Sequence, residues 1–310
     1  MNRVVAITGG VGGAKLVLGL MHAMPPEDVT AIVNTGDDFE HLGLAVSPDI
    51  DTLLYTLSGK ANTKQGWGRE GESWNFLAAV RELGGEDWFQ LGDGDLALHV
   101  LRTSALKRGA TLSAITTSFA RSWGIAATLL PMSDDPVRTM LATSEGTLAF
   151  QHYFVARRCE PQVRAIRFDG ATTARPAPGV IDAIRSADTR AILIAPSNPY
   201  LSVDPVLAVP AIREALITAT APVIAVSPLI GGRAVKGPTA KLMAELGVEA
   251  NALSIARHYA GFLDGLLVDE RDPEIGLPVA QLRTDTLMLS LDDRIRVARA
   301  ALALADRLRQ

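Results

Sequence analysis

Short, unbroken apolar runs end in glycine- or aspartate-rich turns along this chain, and a stretch with helical spacing follows each of them. Residues 3–7 (RVVAI) and 29–33 (VTAIV) lack a polar–apolar alternation, which predicts strands buried on both faces of a sheet. The first run leads into Thr8-Gly9-Gly10-Val11-Gly12-Gly13-Ala14-Lys15 and then a helix to about Met24. That helix carries Leu16, Leu20 and Ala23 on one face and stops at Pro25-Pro26. The second run breaks at Asn34-Thr35-Gly36, and a new helix opens with Ser47 as N-cap and Pro48 at its first position. Further helices are expected at 73–83 and after Asp95, with Asp93 or Asp95 as the cap of the latter.

The middle of the chain departs from this rhythm. Residues 137–143 and 147–155 read as a hairpin around Ser144-Glu145-Gly146, and 163–168 as another strand. Afterwards the alternation resumes, with helices at 179–187, 210–218 and 238–246 and strands at 191–195 and 222–226. An amphipathic helix at 292–310 closes the chain, with Val297, Ala300, Ala301, Leu304 and Leu308 facing inward. The fold expected is α/β: a Rossmann-like, mostly parallel sheet with helices on both faces and a smaller inserted mixed α/β region. Residues 1–310 read as a single domain, with a core at 1–130 and 175–310 and an antiparallel insertion with flanking helices at about 131–174.

Composition narrows the function. The chain has 310 residues and a net charge of -4, so no basic surplus is available to neutralise nucleic-acid phosphates. The single cysteine, Cys159, excludes an intrachain disulfide and a multi-cysteine zinc site. Neither a signal peptide nor an apolar run of membrane-spanning length is present, so a cytoplasmic, soluble protein with no membrane partner is expected.

The candidate chemistry lies at the ends of the expected strands. Asp37, Asp38, Asp49 and Asp51 fall between a strand end and a helix N-terminus, which suits a magnesium ion held with substrate phosphate oxygens. Singly, each is also explained as a solvated turn residue or by the helix dipole. The glycine-rich turn suits backbone N–H contacts to a phosphate, though it matches neither the Walker loop nor the dinucleotide fingerprint. Trp67, set between Gly66 and Gly68, suits a planar ring or a lid, or fills a gap in the core. Ser197 and Asn198 sit on a proline-stiffened turn, and Gly231, Gly232, Arg233 and Lys236 form a second anion cradle ahead of a helix. His99 and Arg102 lie on adjacent helical turns and can both face a ligand.

GGVGGAKL, NTGDD with SPDIDTLLYTL, LGDGDLALH, MSDDPVRT, PSNPYLS and SPLIGGRAVKGP occur in this order along nearly the whole chain. In these motifs the sequence resembles the 2-phospho-L-lactate transferase family, also called CofD or FbiA, which acts in biosynthesis of the deazaflavin coenzyme F-420. The resemblance implies transfer of a phosphorylated three-carbon acid from a guanosine diphosphate-linked donor to the ribityl hydroxyl of Fo (7,8-didemethyl-8-hydroxy-5-deazariboflavin), with release of GMP. It also implies a magnesium (Mg2+) requirement and a homodimer. By this match Asp51 contacts Fo, together with Gln90 and Trp67. Asp38 and Asp51 are the catalytic, metal-facing carboxylates, with Asp37 and Asp49 in support. Gly9, Gly10, Gly12, Gly13, Lys15, Ser197, Asn198, Gly231, Gly232 and Lys236 hold the nucleotide.

One departure stands out: family members often read LGDRD where this chain has Leu91-Gly92-Asp93-Gly94-Asp95. The missing arginine bears on the donor acid, which the sequence leaves open among lactate, enolpyruvate and glycerate. A non-catalytic relative that binds uridine nucleotide-sugars and regulates cell-wall metabolism is the main alternative, disfavoured by the paired acidic motifs. A nicotinamide dehydrogenase is disfavoured by the broken glycine fingerprint.

Overall fold

The computed structural model describes residues 2–235 and 237–309. The strands in chain order are β1 (Arg3–Thr8), β2 (Val29–Val33), β3 (Phe39–His41), β4 (Leu44–Val46), β5 (Thr128–Pro131), β6 (Arg138–Thr143) and β7 (Gly146–Ala149). They continue with β8 (Val163–Asp169), β9 (Thr189–Ile194), β10 (Val223–Val226), β11 (Leu229–Ile230), β12 (Arg233–Ala234), β13 (Gly265–Asp269) and β14 (Ala280–Thr284). The helices are α1 (Gly10–Ala23), α2 (Pro48–Leu57), α3 (Asn75–Glu82), α4 (Leu96–Lys107), α5 (Leu112–Ser122) and α6 (Val180–Arg185). After them come α7 (Asp204–Leu207), α8 (Pro210–Ile217), α9 (Thr239–Glu245), α10 (Ala252–His258) and α11 (Leu291–Leu308).

Seven strands form one sheet in the order β14-β13-β10-β9-β1-β2-β5, every neighbouring pair parallel. The unbroken apolar runs are explained by what lies on each face. Val5 and Ile7 of β1, with Ile192 and Ile194 of β9, enter a core that includes residues of α6, α8, α9 and α10. Their alternate neighbours Val4, Ala6, Ala191 and Leu193 enter a second core with residues of α1, α2, α5 and α11. Period-two side-chain direction therefore calls for consecutive apolar residues through the middle of these strands. Helices on both faces complete the expected α/β architecture.

The strand order reverses between β1 and β9, the topological switch point at which such sheets open a crevice at their strand ends. The loops after β1, β2, β9 and β10 all meet there. A separate antiparallel sheet, in the order β7-β6-β8, lies within the stretch expected as an insertion.

Several local expectations change. The glycine-rich stretch is not a loop ahead of a helix: α1 begins at Gly10, so the glycines form its first turn. The second strand of the hairpin stops at Ala149, and residues His152–Ala156 form a wide helical turn instead. Asp93 does not cap α4; it accepts hydrogen bonds from the backbone N–H groups of Asn75 and Phe76 and so caps α3 from a distance. Asp95 precedes α4 without a capping bond. The strands β3, β4, β13 and β14 were not foreseen.

Candidate active site

A cavity of about 760 Å3 opens at the switch point. Gly9, Gly10 and Gly12 line it at the start of α1, and Pro196, Ser197 and Asn198 line it beyond β9. These two segments are in direct contact. The Ser197 hydroxyl donates to the Gly9 carbonyl at 2.6 Å, and a Cβ on Gly12 would come within 2.6 Å of the Pro196 carbonyl oxygen. Asn198 turns its Oδ1 toward the N–H groups of Tyr200 and Leu201, capping the helical turn Pro199–Val203. Its buried Nδ2 has no partner, leaving a donor beside the cavity.

The four acidic residues divide into different environments. Asp49, on the first turn of α2, accepts from the Gly10 N–H at 2.7 Å and from Asn34 Nδ2 at 2.9 Å. Burial pushes its carboxyl up to about 6 against those two hydrogen bonds. Asp37 lines the cavity with Oδ1 buried and unpartnered. Burial, and then the charge of Asp49, hold its carboxyl well above the usual range. Asp38 is buried away from the cavity wall and accepts from Ser47 Oγ at 2.8 Å. Burial raises it to about 7 despite that bond and the nearby Arg138 and Arg102. The hydroxyl expected to cap α2 is therefore spent on Asp38, and Ser47 makes no capping bond.

Asp51 also lines the cavity, but it is engaged by a residue the sequence reading left unpaired. Arg102 of α4 contacts both its carboxylate oxygens, through NH1 at 3.1 Å and through NH2. The same guanidinium donates to His99 Nδ1 at 3.3 Å, which assigns the ring proton to Nε2, 3.2 Å from Asp95 Oδ2. Tyr55 donates its hydroxyl to the other Asp95 oxygen. Burial alone would raise Asp95, but His99, Tyr55 and Arg102 together hold it below the usual range. Asp51, Asp95 and His99 offer ligand atoms all within 4.8 Å of one another. The i,i+3 and i,i+4 spacings of Asp95, His99 and Arg102 were visible in sequence; their convergence on Asp51 was not.

Aromatic side chains form another part of the wall. Trp88, Phe89, Phe150 and Phe154 line the cavity, with Trp88 against the His152 ring at 4.3 Å and Phe150 stacked on Phe154 at 5.3 Å. Gln90 and Trp67 line it too, and Trp67 is 46% exposed.

The remaining expected nucleotide contacts are not all on the cavity wall. Gly13 is buried behind the wall, packed against Thr8 and Ser197. Lys15 lines the cavity but donates Nζ to the Met288 carbonyl at 2.7 Å, tying α1 to the loop after β14. Gly231 and Gly232 occupy the left-handed turn between β11 and β12, away from the cavity, and Gly232 N–H is taken by Asp272. Val235, Pro238 and Thr239 line the cavity from that loop, while Lys236 lies outside the described residues. The room above Gly94, where the resemblance leads one to expect an arginine, is filled by the guanidinium of Arg69.

Comparison with known proteins bears on the family and the fold. A family model described as 2-phospho-L-lactate transferase CofD matches residues 4–303. A phosphoenolpyruvate transferase of Kitasatospora aureofaciens is 44% identical, over 99% of each chain. A 2-phospho-L-lactate transferase of Methanosarcina mazei is 39% identical, over 93% of this chain and 95% of its own. Among solved structures, a UPF0052 family protein of Bacillus halodurans superposes with a TM-score of 0.64 at 18% identity, covering 97% of this chain and all of its own, a likeness of fold. The chain belongs to the 2-phospho-L-lactate transferase CofD family.

Proposed function

We propose that this protein transfers a phosphorylated three-carbon acid from a guanosine diphosphate-linked donor to the ribityl hydroxyl of Fo. The acceptor oxygen bonds to the phosphorus bearing the acid, the bond from that phosphorus to GMP breaks, and the hydroxyl proton leaves to a carboxylate or water at the cavity wall. The observation that carries this reading is the placing of Asp37 and Asp49. Two buried carboxylates without a cationic partner face one cavity that is also lined by the glycine-rich start of α1 and the unpartnered Asn198 donor. Such a wall is matched to a diphosphate that arrives with a cation.

The residues fit magnesium. Asp37 Oδ1 is an orphaned buried oxygen, and two carboxylates with hard oxygen donors are the usual protein share of a magnesium site. Asp37 and Asp49 would hold the ion, with Asp51 on the same cavity wall and Asp38 behind it. When bound, the ion neutralises charge on the diphosphate and the departing GMP. Asp51, already balanced by Arg102, is better suited to orient the acceptor hydroxyl than to bind metal. The aromatic wall and Trp67 suit the planar deazaflavin, with Gln90 as a polar contact at its edge. Four relatives at 41–44% identity are all named phosphoenolpyruvate transferase, which favours the enolpyruvate donor over lactate.

The test is turnover of purified protein with Fo, magnesium and each guanosine-linked acid, read by mass spectrometry. A magnesium-dependent adduct of Fo with one phospho-acid is expected. Tight nucleotide binding with no product from any donor would overturn the assignment in favour of a regulatory binding protein.

A further inference from the structure

Gly92 and Gly94 flank Asp93 just ahead of α4, and neither is among the glycines held at positive φ. Their requirement is for room. A Cβ on Gly92 would fall on the carboxylate of Glu72, and one on Gly94 would collide with the guanidinium of Arg69. The two occupants form an ion pair, Arg69 NH1 to Glu72 Oε1 at 3.3 Å, and Glu72 Oε2 accepts from the Gly94 N–H at 2.6 Å. The Glu72 side chain is 7% exposed and that of Arg69 32%, so the carboxylate is set into a socket with the guanidinium at its mouth.

Arg69 and Glu72 stand at the end of the loop that carries Trp67. The loop's own hydrogen bonds close it on itself: Asn62 N–H to the Gly68 carbonyl, Gly66 N–H to the Asn62 carbonyl, and Glu70 N–H to the Lys60 carbonyl. The Glu72–Gly94 bond and the seating of Arg69 join it to the start of α4. A small annex is lined by Arg69 and Glu72 together with Trp67, Gln90 and Asp95, and the last three also line the main cavity. Trp67 thus stands between the ion pair and the cavity.

We propose that Arg69 is a positioning residue for the acceptor. Seated over Gly94 and held by Glu72, it keeps Trp67 against the cavity beside Gln90, and glycine at position 94 is what admits it. The identity of the acceptor rests on the transferase reading; the seat itself does not.

Three variants test this: Arg69→Ala, Gly94→Ala and the double. Gly94→Ala acts by expelling Arg69, so each single variant should raise hydrogen–deuterium exchange across 62–71 in the ligand-free protein. Each should also weaken Fo binding, measured by fluorescence titration, by about tenfold, with the donor KM unchanged. The double variant should be no worse than the more affected single one, because both remove the same contact. Effects that multiply in the double, unchanged loop exchange in Arg69→Ala, or a shift in donor KM alone would overturn the proposal. Should wild-type protein bind no Fo, the transferase reading fails, and the exchange measurement still decides whether Arg69 holds the loop.

Discussion

Arg102 and Asp51, 51 positions apart on α4 and α2, form a two-point ion pair in which both side chains are buried. Removing one partner leaves an uncompensated buried charge, which costs about 3–5 kcal/mol. Arg102→Met should therefore lower stability by about that amount in denaturant unfolding. Adding Asp51→Asn to it should recover part of the loss, since neither charge is then left alone. For the reaction, Asp51→Asn should abolish turnover while GDP binding persists, as expected of a residue that orients the acceptor. Unchanged turnover in folded Asp51→Asn protein would sink that role.

The raised carboxyls make a pH prediction of definite sign. Asp49 and Asp38 titrate at about 6 and about 7 in the fold, against an ordinary value of 3.8. The native state therefore binds more protons than the unfolded chain across this range, and stability from these groups is full at acid pH and lost as pH rises through those values. Without divalent cations, melting temperature should fall between pH 5 and pH 8. Magnesium binds the ionised carboxylates, so the stabilisation it adds should be larger at pH 8 than at pH 5, and chelation should remove it. A melting temperature that rises with pH in chelator would contradict the burial of these groups as the cause.

Much of the sheet was legible because a buried parallel strand leaves little choice of residue: the middles of β1, β2, β9 and β10 supply apolar side chains to both cores. β13 was missed although Leu266–Val268 is equally apolar and Asp264-Gly265 and Asp272-Pro273 mark turns on either side of it, and β14 was missed because Gln281 and Arg283 interrupt its apolar run. The acidic stretch announced itself, but its division did not. Which of Asp37, Asp38, Asp49 and Asp51 faces the cavity is decided by Ser47, Asn34 and Arg102, and pairing over such separations carries no local signal. Asp93 shows the same limit: it was a candidate cap for the helix that starts three residues on, and its carboxylate serves a helix start 18 residues back.

Gly12 holds its place for want of space. Its added Cβ would meet a backbone carbonyl, Pro196 O, that no rotamer change can move. Gly12→Ala must separate α1 from the loop after β9, at a cost of about 1–3 kcal/mol for overpacking. Because those segments line the cavity proposed to hold the nucleotide, GDP affinity should fall alongside stability, measurable by calorimetry on protein that remains folded. Alanine at Gly276, which has open space around it, is not held at positive φ and lies off the cavity, should leave GDP affinity unchanged.

Asn198 separates a structural from a binding duty within one side chain. Its Oδ1 caps the Pro199–Val203 turn, and its Nδ2 is a buried donor beside the cavity. Asn198→Asp keeps the capping oxygen, since aspartate caps as well as asparagine, so the turn should stay capped and any fall in melting temperature should come from the carboxylate oxygen that replaces the buried Nδ2. The same substitution replaces a donor with an anion beside the cavity proposed to take the diphosphate. Losing a hydrogen bond to a charged group is worth about 1.5–3 kcal/mol, so GDP affinity should drop by about ten- to a hundredfold. A variant that melts early but binds GDP normally would assign Asn198 to the fold alone.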